Sequence, residues 1–547
     1  MICRYSGAII ICLFVSLFFQ VSGIQAETKQ STSNSTEALI DHLIDDGTIT
    51  REEADAFKEQ YVNQKEKISE NVPDTMGGDV ELPENQIEDD ITPIEKSLHT
   101  IEESPDPYTD DIVRNEKNRD QRLDKLEGKV DEILSNEIFN TEWMKRLSIG
   151  GDIRLRYRID YFDKENADLL DPADPTQLLN TKIDRTRGQY RARLDIKAKV
   201  IGDRERNANG VEAGLRISTG NEGNPVSTND TLGDYYNKDN FLIDRAYLKW
   251  TYGKEKPFWG MTPGISLTGG RIPNPWFTAT NLVWDYDLNF EGAALNLTTD
   301  AREANVFSTF LTLGVFSIQE VEFSNRDKKL YGAQVGFKFR WENAFTGTIG
   351  AAYFDYDNIE GIVNDPERPG EMDFSAPIYQ QMGNTLIDID PSSDILTALA
   401  VDYNLANLSV QADFHGFSPV HLIFLSEFVY NVGFDKEKVA ERTGIEDIAE
   451  DIFGYQFGMK IGYPTVRKYG QWNMGLYYRH LEADAVLDAF TDSDFHNGGT
   501  NAEGFIFAFE MGLYKDLWLS WKWLSADEIA GPQTAIDVLQ IDLNFRF

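Results

Sequence analysis

The last nine residues of the chain, 539–547, alternate strictly between apolar and polar side chains. The apolar residues are Leu539, Ile541, Leu543, Phe545 and Phe547, and the polar ones between them are Gln540, Asp542, Asn544 and Arg546. Because successive side chains of a strand point to opposite faces, this segment predicts a strand with one apolar and one polar surface. Such a strand suits a barrel with lipid outside and water in its lumen. We therefore expect it to close a transmembrane β-barrel.

The same period of two begins at Leu147 and continues to the C-terminus, so residues 147–547 form the predicted barrel. In the first such segment, Ile153, Leu155 and Tyr157 alternate with arginines. Segments of about ten residues match strands that cross a bilayer at a tilt. The low mean hydropathy of −0.41 is compatible with this fold, because only every second strand residue has to be apolar.

The number of strands follows from the connections between them. We count about seventeen segments, an odd number that bacterial barrels disfavour. Long and short connections alternate except between 404 and 431, after a long connection near 358–393. Because Pro419 would interrupt a strand ladder, we interpret 404–431 as one bulged turn and one strand. The prediction is an antiparallel barrel of about sixteen strands (roughly 14 to 18), with long loops outside and both ends periplasmic.

Residues 1–26 have the pattern of a signal peptide. Arg4 precedes an apolar run, and small residues lead to a cleavage site after Ala26. Both cysteines, Cys3 and Cys12, lie in this segment. Disulfides are therefore expected to have no part in the stability of the mature chain.

The region between the signal peptide and the barrel is acidic and helical in its periodicity. We predict a short helical segment over 27–70, an acidic, proline-containing linker over 71–108 and a heptad pattern over 109–146. Two interpretations of the heptad remain open. It forms either a periplasmic coiled coil that holds protomers together or a single amphipathic helix that lies on its own domain.

Several function classes are disfavoured by the sequence. The formal net charge of −39 argues against nucleic-acid binding, because contacts to phosphates require a basic surface. The chain has six histidines, no nucleophile-elbow serine and no His-Glu-x-x-His motif. His480, beside Arg479 on a predicted strand, is the sole suitably placed base. We therefore expect no enzymatic activity, no catalytic residue, no cofactor and no metal site.

Short motifs follow one another from about residue 150 to the end of the chain. They are G-D-I-R-L-R-Y-R from Gly151, G-N-P-V-S-T-N from Gly223, D-R-A-Y-L from Asp244, G-R-I-P-N-P-W from Gly270, D-S-D-F-H-N-G-G-T-N-A-E-G-F from Asp492 and the terminal Q-I-D-L-N-F-R-F. In this order they resemble the putative-porin family of Gram-negative outer-membrane proteins. The resemblance implies passive diffusion without naming a solute. It also implies that Phe545 and Phe547 belong to the membrane-insertion signal read by the barrel-assembly machinery.

In a porin, the narrowest ring of the lumen discriminates by size and charge. The lumen phase of the first five strands carries many cations with few acids between them, which predicts one basic wall. The predicted wall consists of Arg154, Arg156, Arg158, Arg191, Arg193, Arg216, Arg245 and Arg271. The alternative is that these cations neutralise lumen acids, as the wet face of any filled barrel requires.

The third long loop, 272–289, is the predicted constriction loop. Its aromatic residues, including Trp276 and Trp284, would be costly in a loop fully exposed to water. A loop folded into the barrel would bury them and leave Asp285 and Asp287 facing the basic wall. The alternative is an aromatic interfacial cluster outside the barrel.

A second acidic loop spans 484–494 and is followed by His496. Oxygen-rich loops suit hard cations, so a calcium site is one interpretation. A solvated acidic loop without an ion is the favoured alternative.

Two functions remain open at this point. The first is an outer-membrane channel for small hydrophilic solutes or ions, surrounded by outer-membrane lipid, with the N-terminal region in the periplasm. By analogy with sixteen-stranded porins and from the heptad, we expect a homotrimer. The second is a structural tether in which a plugged barrel anchors a periplasmic helical arm.

Overall fold

A computed structural model describes residues 146–547, apart from 172–173, 202–208, 254–260, 302–305, 342–343, 391 and 393–394. The predicted signal peptide, short helical segment and linker lie outside the described residues, as does the heptad region except for Arg146.

Sixteen long strands form the fold, and each pairs antiparallel with its neighbours in chain order. Strands β1–β8 are Leu147–Phe162, Arg185–Ile201, Gly210–Ser218, Leu242–Gly253, Met261–Pro273, Asn289–Ala301, Val306–Gln319 and Lys328–Trp341. Strands β9–β16 are Phe345–Asp357, Asn404–Phe414, His421–Asn431, Phe453–Gly462, Trp472–Leu481, Ala502–Tyr514, Leu517–Glu528 and Ala535–Arg546. Because β16 also pairs with β1, the sheet closes on itself. The predicted sixteen-stranded antiparallel barrel is confirmed.

The C-terminal strand β16 closes the barrel by pairing with β1, as the sequence predicts. Leu155 of β1 is paired with Leu543 of β16, and the register continues to Ile153 opposite Phe545. The backbone amides of Gly151 and Phe547 donate to each other's carbonyls at 3.1 Å. A Cβ on Gly151 would lie 2.7 Å from the Phe547 ring, so glycine permits this close approach.

The two faces of each strand differ as the period of two predicts. On β1, Leu155 is 52% exposed on the outer face, whereas Arg156 is 6% exposed on the lumen face. On β16, Phe545 is 42% exposed, whereas Asn544 is 4% exposed. The apolar residues therefore form a jacket around a polar interior, as a lipid-facing barrel requires.

Successive connections lie at opposite ends of the barrel, and every connection longer than nine residues lies at the same end. The interpretation of 404–431 as one bulged turn and one strand is wrong. Both β10 and β11 are complete strands, and Pro419 lies in the short turn between them. The surplus segment is 395–403, whose residues 398–401 are fully buried inside a long loop. It is apolar because it packs in the interior and not because it faces lipid.

Three long loops fill the barrel at this end, and we number them by their order among all connections at this end. Loop 3 is 274–288, loop 5 is 358–403 and loop 7 is 482–501. They supply much of the main hydrophobic cluster, together with lumen-facing residues such as Phe354 of β9.

Shorter elements lie within the long connections. Helix α1, Lys436–Thr443, begins at the Asp435 side chain, which accepts from the Lys438 amide, and ends at Gly444 with φ of 71°. The remaining strands are Leu170–Asp171, Asp174–Leu178, Asp230–Thr231, Leu386–Asp388 and Thr397–Leu399, and the 3₁₀ turns are Asp373–Ser375, Asp488–Phe490 and Phe495–Asn497. Among the described residues, no helix combines the length and apolarity needed to cross a bilayer.

Candidate functional site

Arg191 and Arg193 on β2 hold one carboxylate of β1 and one of loop 3. The guanidinium of Arg191 donates to Asp152 at 2.7 Å, and Arg193 donates to the other Asp152 oxygen at 2.8 Å. Arg193 also donates to Asp287 of loop 3 at 2.9 Å, and Arg191 lies 3.7 Å from the same carboxylate. These contacts join the barrel wall to loop 3 across the lumen.

The arginines of β1 make a second set of contacts, to β16 and loop 7. Arg156 donates to both oxygens of Asp542, at 2.8 and 3.0 Å, and lies 3.4 Å from Asp494. Arg158 donates to Asp494 at 2.7 Å, and Arg154 donates to Asn544 at 3.1 Å. Loop 7 is therefore bound to the same wall as loop 3.

The remaining arginines of the predicted wall are also paired. Arg216 donates to both oxygens of Asp195 at 2.9 Å. Arg245 donates to Asn289 at 2.6 Å, and Arg271 pairs with Glu291.

The expectation of few acids between these cations is wrong. The acids that pair with these arginines lie on neighbouring strands and on the loops. The sequence of each strand by itself does not show that they are close to the arginines. For most of the wall, the arrangement favours the alternative in which lumen cations neutralise lumen acids.

Loop 3 is folded into the barrel. Trp284 is 1% exposed and packs edge-on against Phe354 and Phe290, with ring centroids 5.1 and 5.0 Å apart. Trp276 also packs against Phe354, at 5.1 Å. Gln334 of β8 holds the loop by accepting from the Phe277 amide and donating to the Phe277 carbonyl, both at 2.8 Å. The tryptophans thus lie in the interior and not in an outer interfacial cluster.

The two acids of loop 3 have different environments. Burial raises the pKa of Asp287, but Arg191 and Arg193 outweigh burial, so its pKa lies below the usual range. Asp285 does not face the wall as expected. Its carboxylate accepts from the Ser493 amide of loop 7 at 3.0 Å, and burial with the nearby Asp287 raises its pKa well above the usual range.

A buried arginine that the sequence did not single out joins loops 3 and 7 to the wall. Arg479 of β13 is fully buried and donates to Gln456 at 2.7 Å and to Asn281 of loop 3 at 2.6 Å. It lies 3.1 Å from Asp492 of loop 7, an ion pair without aligned hydrogen-bond geometry, and 4.9 Å from the centroid of the Phe495 ring. The only sequence signal was its position on the lumen phase of a strand.

The acids of loop 7 are buried and point to separate partners, so the expectation of a solvated acidic loop is wrong. Asp484 accepts from the Tyr403 hydroxyl at 2.9 Å, and Asp488 accepts from the Gln381 amide of loop 5 at 2.8 Å. A calcium site requires oxygens that converge on one point, and these acids diverge. His496 bonds Thr534 at 3.2 Å, and burial lowers the pKa of His496 to about 4.

The junction of loops 5 and 7 is expected to depend on pH. Burial raises the pKa of Asp488 to about 7 from 3.8, so the folded state binds a proton that the unfolded state releases. Stability is therefore lost as pH rises from about 4 through about 7, by at most about 4 kcal/mol. Asp488→Asn keeps the acceptor for Gln381 and cannot ionise.

We expect Asp488→Asn to raise the thermal unfolding midpoint at pH 8.5 and to leave it nearly unchanged at pH 5. The matched control is Asp365→Asn, at a half-exposed surface acid of loop 5. Equal midpoints for wild type and Asp488→Asn at pH 8.5 would contradict this assignment.

Two cavities lie near the loop contacts, and the smaller one is lined by contact residues such as Arg191, Asp287 and Asp494. The cavity nearer the long loops has a volume of about 510 Å³ and is lined by Arg271, Glu291 and Lys328 among others. The cavity nearer the short turns has a volume of about 280 Å³ and is lined by Lys460 and Glu510 among others. Loop 7 and residues 225–229 contribute to both linings, so they stand between the two spaces.

A closed barrel with an apolar jacket, a charged lumen and inward-folded loops defines the class of transmembrane β-barrels with a constricted interior. The sequence from 33 to 547 matches the family model described as Putative porin, so the chain belongs to that family. The match includes most of the N-terminal region, which the short motifs left uncovered. The family supports an outer-membrane channel, and family and fold together suggest a non-enzymatic one.

Among solved structures, the chain is similar to OprB of Pseudomonas putida, with 10% identity and a TM-score of 0.41, over 75% of this chain and 100% of that one. It is also similar to an anion-selective porin from Comamonas acidovorans, with 9% identity and a TM-score of 0.37, over 73% and 99%. No curated protein matches the sequence significantly. The strand count given above rests on the strand pairing of this chain itself.

Proposed function

We propose that the protein is a passive outer-membrane channel for small hydrophilic solutes or ions, narrowed by loops 3 and 7. One observation carries the proposal: carboxylates of both loops contact the arginines of β1 and β2 inside the barrel, where these groups line the smaller cavity. Asp287 of loop 3 and Asp494 of loop 7 are the loop groups involved.

The chemistry of this constriction suits hydrated solutes. The arginines of the wall and the carboxylates of the loops give the narrow region a charged lining, which favours hydrated solutes over apolar ones. The smaller cavity continues this character, because Lys460, Glu510 and Lys522 line it together with Tyr477 and Trp521. A hydrophilic solute can exchange part of its hydration shell for hydrogen bonds to these polar groups, which lowers the free energy needed to desolvate it. An apolar solute cannot form these hydrogen bonds.

The orientation and the partners are further parts of the proposal. If the long loops lie outside the cell and the short turns lie in the periplasm, the start of β1 and the end of β16 are both on the periplasmic side. Residues 27–146 would then also lie in the periplasm. A homotrimer surrounded by outer-membrane lipid, and assembly through the C-terminal strand by the barrel-assembly machinery, complete it.

Liposome swelling with uncharged sugars of increasing size tests passive diffusion. We expect small sugars to enter and larger oligosaccharides to be excluded, because the constriction is narrow and polar. Variants that lack the Asp287 and Asp494 carboxylates should shift the cutoff to larger sugars. Equal rates for all sugars, or no swelling by folded protein, would refute the proposal.

The second candidate is the structural tether with a plugged barrel. It is favoured by the ion pairs that join loops 3 and 7 to the wall, such as Arg193 with Asp287. Deletion of residues 27–140 separates the two. A tether would lose envelope integrity with permeability unchanged, whereas a channel would continue to conduct.

A further inference from the structure

Two histidines and an aspartate lie together at the short turn between β10 and β11. Phe414 of β10 is paired with Leu422 of β11, so His415 and His421 follow as the next opposite positions. Because strand side chains alternate, Asp413, His415 and His421 share the face opposite to Phe414. Phe414 is 42% exposed on the outer face, which places the three polar side chains on the lumen face at the short-turn mouth.

The three side chains converge. One Asp413 carboxylate oxygen lies 2.8 Å from His421 Nδ1 and 4.0 Å from His415 Nδ1. The two imidazole rings have centroids 5.4 Å apart and are tilted by 34°. One ligand atom from each residue lies within 4.8 Å of the others. In the described part of the chain, this is the one group of three or more such residues that could hold a metal ion.

From this geometry we infer that Asp413, His415 and His421 bind a borderline divalent metal ion, with Zn²⁺ as the representative. Two imidazole nitrogens and one carboxylate oxygen are ligands that suit Zn²⁺ and Cu²⁺ better than Ca²⁺ or Mg²⁺. A metal bound at about 2.0 Å to each ligand needs ligand atoms roughly 3 Å apart, so a shift of His415 by about 1 to 2 Å brings the three ligand atoms to this spacing.

The surroundings leave room for this shift and for further ligands. Each of the three side chains keeps 18–19% of its surface exposed, so water could complete the coordination. The backbone of the turn is held independently, because the His415 amide donates to Ala344 and the Ser418 amide donates to His415, at 2.8 and 3.0 Å. The imidazole of His415 can therefore rotate without loss of the turn. An ion here would add positive charge at one mouth of the barrel.

The sequence does not single out this group, because one aspartate and two histidines with one and five residues between them match no common zinc motif. The strand register brings the three residues together.

Zn²⁺ titration of the folded full-length chain in detergent, followed by calorimetry, tests the site. We expect His415→Ala with His421→Ala to weaken Zn²⁺ binding at least about 100-fold, since loss of even an outer-shell partner costs about 10- to 100-fold. Asp413→Asn should weaken it less, because the amide oxygen remains a poor ligand. The matched control is His480→Ala, because His480 also lies 2.8 Å from a carboxylate, that of Glu503, but lacks a second histidine.

Co²⁺ absorption and Cu²⁺ electron paramagnetic resonance give a second readout. Wild type and His480→Ala should show a signal with two nitrogen ligands that the double variant lacks. A change of electrophoretic mobility on heating checks that each variant is folded before the measurement. Unchanged affinity and unchanged spectra in the folded double variant would overturn the site. Neither metal affinity nor the metal spectra depend on ion conduction through the barrel. A negative result would therefore overturn the metal site without affecting the proposed channel function.

Discussion

Replacement of Arg479 by alanine is expected to release loops 3 and 7 and to raise the single-channel conductance. Arg479 is fully buried and contacts Asn281 of loop 3, Asp492 of loop 7 and Gln456 of the wall. Removing one partner of a buried ion pair leaves the other charge uncompensated, which costs about 3–5 kcal/mol. Asp492 would then move toward water and take loop 7 with it. Planar-bilayer recordings and thermal unfolding of the same preparation measure both effects.

A double-mutant cycle separates the ion pair from other effects of truncation. Arg479→Ala with Asp492→Ala removes both charges, so we expect it to be less destabilised than Arg479→Ala alone. Its conductance should still exceed that of wild type, because loop 7 has lost its anchor. If Arg479→Ala conducted and unfolded like wild type, the role of Arg479 as the anchor of both loops would be refuted.

Arg191→Glu combined with Arg193→Glu is expected to shift the ion preference of the channel strongly toward cations. The two arginines hold Asp152 and Asp287, so the exchange gathers four carboxylates at the constriction. A change of about 1.4 kcal/mol in the interaction with a permeating ion alters its relative occupancy tenfold. We therefore expect the permeability ratio of cations to anions to rise about tenfold or more, as measured by reversal potentials in a salt gradient.

The milder Arg193→Gln removes a single charge and should give a smaller shift in the same direction. The control is Arg368→Glu, which reverses one charge at an exposed arginine of loop 5 that pairs with Asp365 and Glu371. If the reversal potentials of the double variant and of Arg368→Glu changed equally, the constriction would not lie at Arg191 and Arg193.

The barrel wall could be predicted from the sequence because strand side chains alternate with a fixed period. Leu155 and Arg156 could be assigned to opposite faces, because the position of a residue in its strand determines the face to which it points. The alternation of the C-terminal segment likewise identified it as the strand that closes the barrel. The segment 395–403 was misleading because it is as apolar as a strand, although its residues 398–401 are buried inside loop 5 and do not face lipid.

The partners across the lumen could not be predicted in the same way. Arg479 and Asn281 are almost two hundred residues apart, and their contact depends on how loop 3 enters the barrel. The contact between Arg158 and Asp494 depends in the same way on how loop 7 enters the barrel. An alternating pattern shows that a lumen residue is polar, but the inward path of a long loop decides which charge it meets. The anchor of loops 3 and 7 therefore became visible only in the structure.

The central claim is that the closed barrel encloses a water-filled path narrowed by loops 3 and 7 against the arginines of β1 and β2. Purified folded protein in a planar bilayer tests it most directly. We predict stepwise current increases, each with the same unit conductance, and larger units for Arg479→Ala. A silent bilayer after verified insertion of both proteins would contradict the claim.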